Sequence, residues 1–314
     1  MKSIFETKPL NTWMSDASLI PIPKMLFSEF WFEGEVCILF ADTNLGKSIL
    51  AVQIGNSISK GMPINGFKLE AEKQKVLYFD FELSEKQLEN RYSEEYKNHY
   101  KFDENFIRSA VNRDTDIFLS EEMIYEALEH EILGVGAKVV IIDNITYISQ
   151  DNEKAKFASK LMKSLKSLNK KYNLSILILA HTPKRNFTNP LSNNDLQGSK
   201  MLANFIDSSI AIGKSYLNED LRYIKQIKSR MTEIQYNTEK ICLCKISKGN
   251  SKSYLQFEFI EFDNELNHLN TTPNLEREEK ILKAKQLKAL GKTNIAIGEE
   301  LGVSEGAIRK WLLK

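Results

Sequence analysis

Apolar residues in this chain fall into short unbroken runs separated by amphipathic stretches. EVCILFA (35–41), KVLYFD (75–80), KVVIID (138–143) and LSILILAHT (174–182) are four such runs. Runs of this length, bounded by polar or turn residues, predict strands buried on both faces. KSILAVQIGNSISKG (47–61), a charged stretch reaching about residue 97, EEMIYEALEHEIL (121–133) and residues 153–172 lie between them and predict helices. In the last, Phe157, Leu161, Leu165 and Leu168 repeat at helical spacing. FIRSAV (106–111) predicts a weaker strand. Strands alternating with helices predict an α/β fold with a mainly parallel central sheet covered by helices on both sides.

The pattern changes after residue 182. PKRNFTNPLSNNDLQG (183–198) is a long polar loop, a length that usually carries function. DSSIAIG (207–213), RYIKQIKS (222–229), EKICLCKIS (239–247) and KSYLQFEFIEF (252–262) predict successive antiparallel strands. The expected organisation is a lead-in over 1–33, one α/β domain over 34–263, a linker over 264–276 and a small all-α unit over 277–314.

A chain of 314 residues is long enough for a substantial core. The formal net charge of +1 argues against a molecule that binds polyanions over its whole surface. The cysteines are Cys37, Cys242 and Cys244. Within ICLCKI the last two share one strand face, as small buried groups, and no second pair or histidine cluster accompanies them as a zinc site would require. No apolar run reaches membrane-spanning length and the N-terminus lacks a signal-peptide core, so the expectation is a cytoplasmic protein without a membrane partner.

ADTNLGKS (41–48) follows a predicted strand and opens a predicted helix, the context that makes such a loop a phosphate site. Backbone N–H groups of Asp42, Thr43, Asn44, Leu45, Gly46, Lys47, Ser48 and Ile49 are placed to cradle phosphates, aided by the helix dipole. Lys47 neutralises β- and γ-phosphate charge, Ser48 offers a hydroxyl to Mg2+, and the expected ligands are ATP and Mg2+. Ala41 stands where the G-x-x-x-x-G-K-[ST] pattern has glycine; it serves if that position needs only a small side chain and is strained if it needs positive φ.

Asp143 ends the third strong strand, at the sheet edge where open α/β folds bind ligands, and is placed to join Ser48 at the cation. Glu82 follows the second strand and is the expected residue that polarises water; Asp80 is its rival, and a solvated helix-start carboxylate the plain alternative. His181 ends the fourth strand, either as a γ-phosphate sensor or as a hydrogen-bonded core histidine.

Together ADTNLGKS, YFDFELSEKQLENR, VVIIDNI, AHTPKRN, DLQGSKMLANFIDSSIAIG and IKQIKSR resemble the RecA-like P-loop ATPases, in particular plasmid RepA-type and DnaB-type hexameric helicases. The resemblance spans about 20–262 and implies a RecA-like core. It implies that the 183–198 loop, with Lys184 and Arg185, contacts single-stranded DNA. It implies that Lys228 and Arg230 reach a neighbouring subunit's nucleotide, and hence a homo-oligomer, a hexameric ring. The alternative for that pair is a basic edge strand that resists aggregation. The separate N-terminal domain of DnaB-type helicases is missing from the sequence.

IGEELGVSEGAIRKWL (297–312) looks like a helix-turn-helix. Ile297, Leu301, Ile308, Trp311 and Leu312 face inward, Gly302 makes the turn and Ser304 caps the second helix. Ser304, Glu305, Arg309 and Lys310 then point outward, Ser304, Arg309 and Lys310 being the expected contacts to duplex DNA. Eight Lys/Arg against three Glu over 280–314 supply a modest basic footprint. A small protein-interaction unit is the alternative. The sequence therefore predicts a DNA-binding ATPase, helicase-like and belonging to plasmid or mobile-element replication. The alternatives are an ATP-gated DNA-binding regulator and an ATPase acting on protein partners.

Overall fold

A computed structural model describes residues 5–112, 121–144, 154–183, 185–196, 204–270 and 272–312. Among them, nine strands form one sheet in the order β13-β12-β11-β10-β3-β9-β8-β4-β7. β3 (Val36–Ala41), β4 (Val76–Asp80), β7 (Phe106–Ala110), β8 (Val139–Asp143), β9 (Ser175–His181) and β10 (Ser208–Lys214) run parallel to one another. β11 (Leu221–Lys228), β12 (Ile241–Ser247) and β13 (Gln256–Asp263) extend the sheet antiparallel. The central strands are buried along their length because helices cover both faces.

Strand alternation divides the core in two. Cys37, Leu39 and Ala41 of β3 face a cluster with Leu50, Ile54 and Ile58 of α2 (Lys47–Lys60). Val36, Ile38 and Phe40 face the other cluster, with Leu128 of α4 (Glu121–Val135) and Leu165 and Leu168 of α5 (Lys154–Tyr172). α2 is buried nearly all round, which fits its uninterrupted apolar and small residues. Cys242 and Cys244 share one face, both buried.

The structure departs from the sequence expectations in four places. Residues 25–32 belong to the core: β1 (Met25–Phe27) and β2 (Trp31–Phe32) form a hairpin whose Leu26, Phe27, Phe30 and Trp31 are buried. α1 (Leu10–Ser18) before it buries nothing. α3 (Glu85–Arg91) stops well before residue 97, because Tyr92 is buried and Glu95 and Tyr96 take positive φ. They turn the chain between β5 (Ser93–Glu94) and β6 (Asn98–His99). β10 was expected within an antiparallel set but lies parallel to β3, with Ser208 opposite Cys37. Finally, the expected linker is partly core. Glu265 and His268 are fully buried in a 3-10 turn over Glu265–His268, and Lys225 donates to Glu265 Oε2 at 2.5 Å.

The C-terminal helices α6 (Thr272–Ala289), α7 (Asn294–Leu301) and α8 (Glu305–Leu312) enclose a core of their own. It contains Ala284, Leu287, Ile297, Leu301, Ile308 and Trp311. Gly302 ends α7 with φ 65°, and Ser304 Oγ accepts from Ala307 N–H at 3.3 Å. A Cβ on Gly298 would meet the Val303 carbonyl oxygen at 2.7 Å, so the tight turn requires glycine there. Among the described residues no helix is long and apolar enough to cross a membrane.

Candidate nucleotide site

Parallel register sets the ends of the strands side by side: Ala41 pairs with His181, and Asp80 with Asp143. The polar residues that end these strands therefore gather at one sheet edge, beside the N-terminus of α2. The loop between β3 and α2 carries Asn44 at φ 62° and Gly46 at φ 93°. These left-handed positions turn successive N–H groups toward a common centre. A Cβ on Gly46 would come within 2.8 Å of Ile246 Cδ1, so both conformation and space demand glycine. Ala41 is an ordinary extended strand residue, wholly buried. The first position of this loop needs a small side chain and not a positive φ, which removes the strain that alanine would otherwise carry.

Lys47 is 7% exposed. Its Nζ donates to the Ala41 and Asp42 carbonyls at 3.1 and 3.2 Å and lies 3.1 Å from His181 Nδ1. Burial pulls its pKa down, opposed by the charges of Glu82, Asp143 and Asp42. An ammonium donating to Nδ1 leaves the imidazole proton on Nε2. The Nε2 proton faces Glu82 Oε1 at 3.6 Å, and the Asn144 amide nitrogen, itself a donor, lies 2.8 Å from Nε2. Asn144 Nδ2 also donates to Glu82 Oε1. The His181 hydrogen bond, with help from Asn144 and Lys47, holds the Glu82 carboxyl below its usual range despite partial desolvation. Lys47 donates to His181, and both His181 and Asn144 direct an N–H toward Glu82, so the imidazole links the phosphate loop to the carboxylate.

Asp143 is 1% exposed. Its Oδ2 accepts from the Tyr78 hydroxyl at 2.5 Å, and its Oδ1 has no hydrogen-bond partner. Burial pushes its pKa up to about 6, against the hydrogen-bonding pull of Ser48 and Tyr78. A buried carboxylate oxygen without a donor, next to a hydroxyl that opens a helix, suits a hard divalent cation. Ser48 and Asp143 therefore fit Mg2+.

Asp80 is occupied within the chain. Its Oδ1 accepts from the N–H groups of Glu82 and Leu83, and its Oδ2 from Arg108 Nε at 2.9 Å. Arg108 also donates to the Leu83 carbonyl at 2.7 Å. The ion pair pins the strand end that presents Glu82, whose side chain is 37% exposed. Tyr78, Asn144 and Arg108 were not singled out in the sequence. Tyr78, a hydroxyl in the apolar run VLYFD, and Asn144, next to Asp143, were visible signals; Arg108 becomes relevant only through the β4–β7 pairing.

Lys228 and Arg230 lie at the other end of the sheet. Lys228 pairs with Ser209 at the start of β10, far along the strands from Ala41. Lys228 Nζ donates to the Ile206 carbonyl at 2.7 Å, and Arg230 pairs with Asp207 at 3.1 Å while remaining half exposed. Arg185 is partly buried, donates to the Asn189 carbonyl at 2.7 Å and stacks over Phe187. Lys184 lies outside the described residues. Ser304, just before α8, and Arg309 and Lys310 on it are exposed, with Arg309 paired to Glu305 at 2.9 Å.

The fold is similar to that of a KaiC-like protein from the hyperthermophilic archaeon Pyrococcus horikoshii OT3. The TM-score is 0.51 at 13% identity, covering 73% of this chain and 91% of the other. No curated protein matches the sequence. The family described as AAA domain matches residues 4–186, more than half of the chain, a span that includes Lys47, Glu82, Asp143 and His181. With a phosphate loop, a mainly parallel sheet and helices on both faces, the chain belongs to the AAA domain family and has the RecA-like P-loop ATPase fold.

Proposed function

We propose that this protein hydrolyses ATP and couples the reaction to DNA, as a helicase-like replication protein of a plasmid or mobile element. The observation that carries the hydrolytic part is the link Lys47–His181–Glu82, with Asn144 also donating to Glu82, which joins the phosphate loop to a carboxylate held below its usual range.

The loop N–H groups and Lys47 bind the β- and γ-phosphates. Ser48 and Asp143 would hold Mg2+, which when bound would supply positive charge against that developing on the transferred phosphoryl group. Glu82 Oε2 orients the attacking water and accepts its proton. When a γ-phosphate draws Lys47 forward, His181 loses its ammonium partner and is free to turn toward the phosphate. That movement alters the start of the 183–198 loop, where Lys184 and Arg185 are proposed to meet single-stranded DNA.

Lys228 and Arg230 sit at the sheet edge away from their own phosphate loop, so any contact they make with a nucleotide is with a neighbouring subunit's. This placement supports a ring, read as hexameric by resemblance. α8 presents Ser304, Arg309 and Lys310 to duplex DNA. The separate core of the C-terminal helices favours a second reading, an ATP-gated regulator that reads an operator.

ATPase rates measured without DNA, with single strands and with duplex test the proposal. Stimulation by single strands and loss of turnover in Lys47→Ala are expected; a rate indifferent to DNA contradicts the motor. Footprinting with and without ATP separates the second reading, which requires a defined duplex site and little turnover.

A further inference from the structure

At the far end of α2, roughly 20 Å from the phosphate loop at 1.5 Å per helical residue, a cavity of about 640 Å³ opens between the helix and β13. Its size is that of a small-molecule site. Asn56, 6% exposed, lines it. The Asn56 amide donates to the hydroxyls of Tyr100 and Tyr254 at 3.0 and 3.2 Å, and its Oδ1 has no partner. Exchanging the amide atoms would let Oδ1 accept from both phenols and strand two N–H groups; the observed orientation instead leaves Oδ1 and both phenolic hydrogens to be satisfied from the cavity.

This arrangement fixes where the phenolic hydrogens go. Tyr100 oxygen also accepts from Lys60 Nζ at 2.6 Å, so both its lone pairs are used and its own O–H must donate elsewhere. Tyr254 oxygen accepts from Asn56 and likewise has a hydrogen to give. Burial pushes the Tyr254 phenol up, so it remains a donor at neutral pH. The rings stack with centroids 4.1 Å apart, which holds the two hydroxyls together. Two O–H donors and an ammonium thus converge on one end of the cavity, while Pro63, Ile64 and Phe259 line an apolar stretch.

Charge decides the ligand class. Among the described lining residues Lys60 is the cation and Glu258 the anion, so these carry no net charge. A phosphate dianion would meet too little positive charge, whereas a carboxylate monoanion matches one ammonium and two hydroxyl donors. We propose that this cavity binds a small monocarboxylate with an apolar body, its carboxylate held by Lys60, Tyr100 and Tyr254. The carboxylate end, at Lys60, Tyr100 and Tyr254, lies at the opposite end of α2 from the phosphate loop, while Phe257 of the cavity wall packs against Gly46.

Calorimetry on the full chain with phenylacetate tests it, with phenylacetamide and inorganic phosphate as controls. Saturable binding of phenylacetate is expected, with binding at least tenfold weaker for phenylacetamide and for phosphate. Tyr254→Phe removes one hydroxyl and keeps the ring; Lys60→Met removes the charge and keeps the stem. Each is expected to weaken phenylacetate binding at least tenfold while unfolding at the wild-type temperature and keeping wild-type Mg-ATP affinity. Absence of phenylacetate binding, equal affinity for the amide, tighter binding of phosphate, or unchanged affinity in both variants overturns the proposal. If a variant melts early, the amide and phosphate comparisons on wild-type protein decide alone.

Discussion

The Tyr78 hydroxyl donates to Asp143 Oδ2 at 2.5 Å, and so holds the carboxylate with its other oxygen, which has no partner, left for a cation. Tyr78 is 2% exposed on β4, one strand from Asp143, and parallel pairing sets the two in reach. The phenol acts as a positioning group for a cation ligand. Tyr78→Phe keeps the packing and removes that constraint. A hydrogen bond to a charged group contributes about 1.5–3 kcal/mol, so the Mg2+ concentration needed for nucleotide binding should rise roughly tenfold. Nucleotide binding without Mg2+ should be unchanged. An unaltered Mg2+ titration would show that the hydroxyl is only a packing feature.

Glu82→Gln should retain Mg-ATP binding and lower turnover by roughly 10²–10⁴-fold, the usual contribution of a positioned base. Asp80→Asn should instead lower stability, because it breaks the Arg108 pair that pins the strand end. Comparing single-turnover rates with melting temperatures separates the two. Turnover unaffected in Glu82→Gln would remove the carboxylate from the mechanism.

Asp143 has its pKa pushed up to about 6 by burial. Its folded value lies above the unfolded one, so the folded protein without cation binds the extra proton between the ordinary carboxylate range and about pH 6. Stability of that form should therefore fall as pH rises through this window. Mg2+ needs the ionised carboxylate, so Mg-ADP affinity should weaken as pH falls below about 6. Melting curves and Mg-ADP titrations across pH 5–8 check both signs. Parallel pH trends in the two would contradict the assignment.

Lys225 and Glu265 form a buried pair, 6% and 0% exposed. Removing one partner leaves an uncompensated charge, so Lys225→Met should cost about 3–5 kcal/mol. Denaturant unfolding measures it. A loss under about 1 kcal/mol would place this turn outside the cooperative core.

Much of this architecture was legible in the chain. The four strongest strands, α2 and the loop 41–48 follow from uninterrupted apolar runs and one phosphate motif, all local signals. What was not legible depends on contacts between distant segments. The hairpin at 25–32 hides among prolines, and its burial comes from packing on Phe67 and Tyr236. Residues 264–270 read as polar linker because Glu265 is polar, yet Lys225 and Tyr223 make it a core residue. Choosing between Asp80 and Glu82 required Arg108, brought alongside by β7.

Isothermal calorimetry of the purified protein with Mg-ATP tests the central claim most directly. The account predicts saturable heat that disappears in Lys47→Ala, a variant expected to keep its fold because Lys47 makes its contacts at the edge of the core. No heat with the wild-type protein, or equal heat with Lys47→Ala, would contradict it.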